Sequence, residues 1–390
     1  MTACPLCSGA AVRPFLRRMT VPVLQNAPAA TREIARGRAM GELEISVCER
    51  CGFVFNRAFD PARIEYAQSY DNTQCCSPSF ERYMRGLAED LVARHDLHGK
   101  RIVEVGCGKG HFLRMVCQIG GNRGFGFDPT YVGPDAVDGG AVSFVRELYS
   151  EHHASLAADF VCCRHVLEHV ADPLAMLGAV RLATRSDPST AVFFEVPTVD
   201  WILEHTCFWD FFYEHCNYFN PETLSFAFRA AGFDVVRTQP AFEGQYLWLE
   251  AHPRPGVRGG ALAIEPEGVA ASLARIAAFE ARVETQFAGW QDRFERAART
   301  GGLAIWGAGA KGVTLVNLLD PGGALVKYVV DINPNKQGTF VPGTGHPVVG
   351  PDALARDRVG HVFITNPNYA AEIRAAIAGL VGGELTIDCL

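Results

Sequence analysis

The chain predicts an α/β architecture in three parts: a small cysteine-bearing β unit, a doubly wound parallel-sheet unit, and a second α/β unit. Three observations carry this. Two Cys-x-x-Cys pairs, Cys4–Cys7 and Cys48–Cys51, lie near the N-terminus. From residue 101, short apolar runs alternate with helical patterns, as parallel strands with crossover helices require. A second alternation starts at Gly302, after a Pro/Gly/Arg-rich stretch and one long helical pattern. These features place the units at residues 1–66, 67–255 and 256–390.

Composition narrows the function. The chain has 390 residues, 48% hydrophobic and 20% charged, which is ample for several cores. Its formal net charge is 36 − 43 = −7 with no long basic block, so nucleic acid is not the expected partner. No run approaches the roughly eighteen apolar residues of a membrane helix. The start, Met-Thr-Ala-Cys-Pro-Leu-Cys, lacks the basic and apolar regions of a secretory signal. Thirteen scattered cysteines, including the vicinal pairs Cys75–Cys76 and Cys162–Cys163, suit a reducing cytoplasm and metal use.

In chain order, the pairs Cys4/Cys7 and Cys48/Cys51 supply four thiolates for one tetrahedral zinc, a closed structural site. Between them, Val21–Leu24 and Leu43–Val47 read as strands. Residues 56–80 read as a loop that closes over a ligand or as a plain linker. Tyr70 is its candidate ligand contact. Phe80, Tyr83, Met84, Leu87, Leu91 and Val92 share one face of a helix over 80–95.

The strand Ile102–Val105 then turns through Gly106, Gly108 and Gly110 into a helix over 111–119. Glycines at a strand-to-helix turn admit a ligand to the backbone and leave the first helical N–H groups free. The spacing Gly-x-Gly-x-Gly differs from the dinucleotide fingerprint. Glu104 lies in the strand, and the next strand ends in Asp128, where an acid suits two ribose hydroxyls. The expected ligand is a ribonucleoside with a small 5′ group. Further strands are expected at 142–145, 159–163 and 191–196, with helices near 147–156, at 173–183 and at 221–231. Segments 232–237 and 245–250 suit an antiparallel edge, and 252–262 a linker. Residues 267–298 hold one three-to-four spacing that should pack across the units. Beyond it, Leu303–Trp306, the turn Gly307-Ala-Gly-Ala-Lys-Gly312 and Val326–Asp331 repeat the strand–turn–acid pattern. A bound nucleotidyl group or an architectural turn both explain this second fingerprint better than a second cofactor.

Glu104-Val-Gly-Cys-Gly-Lys-Gly110, Gly126-Phe-Asp128 and Cys163-Arg-His-Val-Leu-Glu-His-Val170 resemble class I S-adenosylmethionine (SAM) methyltransferases. With the cysteine pairs and the C-terminal wording Trp306–Asn317, Val330–Gly338 and Val341–Pro347, the whole chain resembles the three-domain sugar C-methyltransferases of deoxysugar biosynthesis. The resemblance implies an N-terminal zinc-binding β unit, a central Rossmann-like SAM domain and a second, C-terminal Rossmann-like α/β domain. It implies SAM on Glu104, Gly106, Gly108, Gly110 and Asp128, with Tyr70 added from the preceding loop. In that family a Tyr-His-Glu-His segment supplies the proposed base. Aligning the Glu-His pair carries the base onto His215 and the glutamate onto Glu214, with Phe212 and Tyr213 replacing the other two residues. The family's usual loop, Gly-Ser-Asn-Asp-Gly, is here Gly106-Cys-Gly-Lys-Gly110, which points to a different acceptor.

The implied reaction removes a proton beside a carbonyl, and a histidine titrating near neutrality suits that step. Glu214 or Tyr213 would steer the imidazole or stabilise the enolate oxygen. His165 and His169 follow the fourth strand at the same sheet edge; His165 is a further catalytic candidate, whereas His169 reads as helix-surface packing. The acceptor is expected to be a small molecule, a nucleotide-linked keto sugar or a related biosynthetic intermediate. Methylation of oxygen or nitrogen on a natural product or polysaccharide unit is the alternative. Intact Glu104, the three glycines and Asp128 argue against a binding module with a vestigial cofactor site. A monomer or homodimer is expected.

Overall fold

The computed structural model describes residues 3–65, 70–184, 187–256, 264–357, 359–382 and 385–390. The expected boundary after residue 66 and the 257–262 part of the expected linker lie outside the described residues.

The central sheet has eight strands. Its parallel strands are Arg101–Val105, Arg123–Phe127, Val142–Val145, Phe160–Arg164 and Ala191–Pro197, close to the apolar runs in the sequence. They read as nearly continuous apolar runs because both faces of the sheet are covered. Arg101–Val105 lies between Arg123–Phe127 and Phe160–Arg164. The strand order therefore reverses beside it, and open α/β sheets bind ligands at the carboxyl ends around such a reversal. Phe233–Ala241 and Tyr246–Pro253 form the expected antiparallel edge. Asp172 and Asn220 cap the helices Pro173–Ala183 and Pro221–Ala230, each accepting a backbone N–H at 2.9 Å. The helix expected near 147–156 is absent; a single 3₁₀ turn, Glu151–His153, takes its place. Leu148 is 75% exposed there, so a longer helix would have little apolar face to bury.

The first strand is Val12–Pro22, longer and earlier than the expected Val21–Leu24. It pairs with Met40–Cys48, which pairs with Val54–Asn56. The fourth strand of this sheet is Asn217–Tyr218, from far along the chain. The C-terminal unit is a parallel sheet ordered Val348–Val349, Val326–Val330, Leu303–Trp306, His361–Ile364, Thr386–Cys389.

The helix Pro266–Arg299 joins the three units. Its buried Ile276, Phe279, Val283, Trp290 and Phe294 belong to one core with Leu16 and Ile45, with Trp201 and Phe211, and with Leu303 and Val316. The Phe279 ring stands edge-on to Phe15 at 6.0 Å and to Phe211 at 5.8 Å. Beside it, Glu280 accepts both ends of the Arg13 fork at 2.7 and 3.1 Å. Among the described residues no helix is long and apolar enough to cross a membrane.

Because Phe279 is fully buried between the units, Phe279→Ala should cost about 3–5 kcal/mol. Thermal unfolding followed by both aromatic and backbone signals should show one transition at lower temperature. A native-like midpoint would mean that the helix is not shared core.

Candidate active site

Each glycine of the first turn has a steric reason to be there. All three have left-handed backbones, with φ of 70° at Gly106, 54° at Gly108 and 77° at Gly110. A Cβ at Gly106 would lie 2.1 Å from Val166, and one at Gly110 would lie 2.4 Å from Phe144. At Gly108 it would meet nothing within 4 Å, so this is the open side of the turn. Asp128 Oδ2 accepts the Gly108 N–H at 2.8 Å, and its other oxygen accepts the Thr130 N–H at 2.7 Å. The Thr130 hydroxyl also donates to that second oxygen at 2.7 Å, so Oδ2 is the oxygen that keeps a lone pair for a ribose hydroxyl. Glu104 accepts the Leu113 N–H at 3.1 Å, which ties the strand to the first turn of the helix His111–Gly120. Burial pushes the Glu104 carboxyl up to about 8, against the pull of Arg164.

Val166, the residue that packs on Gly106, belongs to the segment His165–His169. The other side of that segment lines a cavity of about 480 Å³. His165, Glu168, His169 and His215 form one wall; Gly307, Lys311, Asp331 and Lys336 of the C-terminal unit also line the cavity, as do Tyr70, Asn72–Gln74 and Cys76–Pro78. The part of the 56–80 segment from Tyr70 to Pro78 thus borders a ligand-sized space, and residues 66–69 lie outside the described residues.

His165 has φ of 55°, a costly conformation for a non-glycine that tends to occur at functional sites. Its Nε2 lies 3.0 Å from Glu195 and its Nδ1 3.7 Å from Glu168. Burial alone would lower the His165 pKa; the two carboxylates outweigh it and raise it above the ordinary histidine value. Glu195 is fully buried and accepts the Arg164 guanidinium at 2.7 and 3.1 Å and the Tyr83 hydroxyl. Burial opposes its charge, but Arg164 first, then His165 and Tyr83, pull it down to about 2.

His215 has the opposite environment. Its ring packs on His169 at 4.6 Å, Phe212 at 4.8 Å and Tyr218 at 6.1 Å. Burial, and then the positive charge that His169, His165 and Lys311 can carry, push it well below the ordinary histidine value. Beside it, Glu214 accepts the Tyr70 hydroxyl at 2.6 Å and the Gln25 N–H at 3.1 Å, with His169 Nδ1 at 3.7 Å. Burial raises the Glu214 pKa despite those partners.

Three expectations change. Tyr213 does not line the cavity: its hydroxyl accepts the Asp60 N–H at 3.1 Å and its ring packs on Phe59, inside the N-terminal unit. The backbone bends at Tyr213 and Glu214, and Phe212 lines the cavity instead. Tyr70 lines the cavity, but its hydroxyl goes to Glu214 and not to the glycine turn. His169 lines the cavity and does not pack on a helix surface. Sequence reasoning passed over Glu168, Glu195, Arg164 and Tyr83. Glu195 carried a signal, a charge inside the apolar strand Ala191-Val-Phe-Phe-Glu-Val.

At the N-terminus, Cys4 and Cys51 sulfurs stand 3.6 Å apart and Cys7 and Cys48 sulfurs 3.5 Å apart. All four lie within 4.8 Å of one another. Disulfide sulfurs would sit at about 2.05 Å, whereas thiolates around one zinc sit about 3.8 Å apart. The cluster therefore suits one tetrahedral metal.

A cationic sulfonium cofactor would favour the ionised Glu104. Free Glu104 gives up its proton at about 8, so SAM affinity should rise from pH 6 toward that value, by at most about tenfold per pH unit, and then level off. Calorimetric titration of the wild type and Glu104→Gln checks this. Equal slopes in both would exclude Glu104 as the source.

A family model described as a methyltransferase domain matches residues 80–238, and one described as a C-methyltransferase C-terminal domain matches residues 259–387. C-methyltransferase NovU of Streptomyces niveus is 26% identical over 358 residues, covering 87% of this chain and 83% of NovU. A ubiquinone biosynthesis O-methyltransferase of Escherichia coli (strain K12 / DH10B) is 34% identical over 105 residues, covering 25% of this chain and 43% of that enzyme. Magnesium protoporphyrin IX methyltransferase (ChlM) from Synechocystis PCC 6803, solved with bound SAH, overlaps 45% of this chain and 84% of its own at 20% identity and a TM-score of 0.34. The two domain models lie side by side in one chain, and the NovU alignment runs through most of both proteins: the chain is an S-adenosylmethionine-dependent methyltransferase whose C-terminal part is similar to the C-terminal domain of C-methyltransferases.

Proposed function

We propose that this enzyme methylates a carbon atom beside the carbonyl of a small molecule, a nucleotide-linked keto sugar first among candidates, with His215 as the base. The observation that carries the reading is the cavity itself. An imidazole held well below the ordinary histidine value shares a cavity of about 480 Å³ with a second glycine turn flanked by Lys336 and by Lys311, whose ammonium pairs with Asp210. One wall suits proton abstraction, and the other suits the phosphates of a nucleotidyl group.

SAM, when bound, supplies an electrophilic methyl group. The chain's own residues do the rest. His215 takes the proton from the acceptor carbon, the electron pair of that C–H bond becomes the new carbon–methyl bond, and the pair of the broken sulfur–methyl bond would stay on the departing thioether sulfur. A depressed pKa keeps His215 unprotonated at neutral pH, at some cost in base strength. His165, held between Glu168 and Glu195, has the environment of an imidazolium and would face negative charge developing on the enolate oxygen. Glu214, fixed by Tyr70 and Gln25, would orient His169 beside the base.

In deuterated solvent without SAM, a nucleotide 4-keto sugar should exchange the proton on its acceptor carbon, and His215→Gln should slow this exchange and methyl transfer by roughly 10²–10⁴. SAM affinity should stay within a few-fold. The acid limb of kcat/KM should fall at a pH below the ordinary histidine value, since His215 loses function only on protonation. Methyl transfer without exchange would point to an oxygen or nitrogen acceptor.

Cys4, Cys7, Cys48 and Cys51 would hold a structural zinc. Metal analysis should find one tightly held zinc per chain that resists dialysis against chelator and is lost in Cys48→Ser together with thermal stability. Loss of chemistry with an unchanged fold would contradict the structural role.

A further inference from the structure

Two donors that line the cavity, Glu168 and His169, do not themselves take the proton in the proposed reaction. Glu168 is 2% exposed, and neither of its carboxylate oxygens has a hydrogen-bond partner among the described residues. His165 Nδ1 approaches one of them only to 3.7 Å. His165 offsets part of the cost of burying that carboxylate from 3.7 Å without a hydrogen bond, and a divalent cation would offset more of it. One donor atom each from Glu168, His169 and His215 lie within 4.8 Å of one another. Donors around a tetrahedral zinc, with bonds of about 2.0–2.2 Å, stand about 3.4 Å apart, so modest side-chain rotations would close the set. His169 Nδ1 also faces Glu214 at 3.7 Å, the arrangement of a carboxylate behind a metal-bound imidazole.

We propose that Glu168, His169 and His215 form a second metal site, separate from the cysteine cluster, for a divalent cation of the zinc and cobalt class. Two imidazoles and one carboxylate suit those ions, and the remaining coordination positions open into the cavity. Metal binding does not rest on the methyl-transfer reading. A nitrogen of His215 that ligates a metal cannot also take a proton, so the metal-bound and base-competent forms exclude each other.

The test uses the full-length protein, stripped of exchangeable metal by chelator with the cysteine site left loaded, and titrated with Co²⁺. One equivalent should bind per chain and give ligand-field bands in the visible without sulfur-to-cobalt charge-transfer bands. Glu168→Gln and His169→Gln should each weaken binding by at least roughly tenfold, with thermal unfolding confirming that they fold. If either variant does not fold, His215→Gln supplies the same comparison. No saturable binding, charge-transfer bands that place cobalt on the cysteines, or undiminished affinity in folded variants would each overturn the assignment.

Discussion

The pairing of Asn217–Tyr218 with Val54–Phe55 is the contact on which the candidate site depends. The segment that carries Glu214 and His215 has little regular structure of its own: one 3₁₀ turn, Phe208–Asp210, and this two-residue strand. Such a loop holds a side chain in place only if its backbone groups are tied elsewhere. Asn56 donates to the Cys216 carbonyl at 3.0 Å, and the Tyr218 hydroxyl accepts from Phe212 N–H at 2.8 Å and donates to its carbonyl at 3.1 Å. The Asn217 amide reaches the Leu167 and Val170 carbonyls at 3.1 and 2.6 Å, which ties the loop to the His165–His169 segment. The strand that receives the pairing neighbours Met40–Cys48, whose last residue is in the cysteine cluster. The N-terminal unit is therefore the buttress of the segment that carries His215, and a metal in it would act on that segment through rigidity alone.

With the loop fixed, charge sets the chemistry. Arg164 and Glu195 are both buried, and removing one partner of such a pair typically costs about 3–5 kcal/mol. Their ion pair holds His165 against a carboxylate, while His215 sits among rings and potential cations. Two histidines on one wall are thus pushed in opposite directions, one toward imidazolium and one toward neutral imidazole. Environments that separate the pKa values of like groups are how acid and base roles are divided at one pH.

Much of this was readable in the chain because it is local. The glycine turn, the acid ending the next strand and the cysteine pairs are short-range patterns whose spacing already fixes their geometry. Cross-chain relations were not readable. Nothing near residue 217 announces pairing with residue 54, which lies in another unit. Tyr213 and Phe212 differ only in which way an irregular backbone turns, and hydrophobic periodicity has no purchase on so short a stretch. Glu168 and Glu195 acquire meaning only when the fourth and fifth strands lie side by side.

The two glycine turns show how one construction serves two ends. In both, the acid after the next strand accepts a turn N–H at 2.8 Å, Gly108 to Asp128 in one and Ala308 to Asp331 in the other. Shape therefore does not separate them; their surroundings do. Two residues before its first glycine, the first turn has the buried carboxyl of Glu104, where the second has Ile305. The first turn's own cation is Lys109, and its open side is Gly108. The second is lined by Lys311, which pairs with Asp210, and by the buried Lys336, whose ammonium donates to the Ala308 carbonyl at 3.1 Å. A cation beside a ribose is best received where a carboxyl lies behind the loop, and phosphates where lysines line it. The fold repeats, but its charges do not, and the repeat alone would assign the same ligand to both turns.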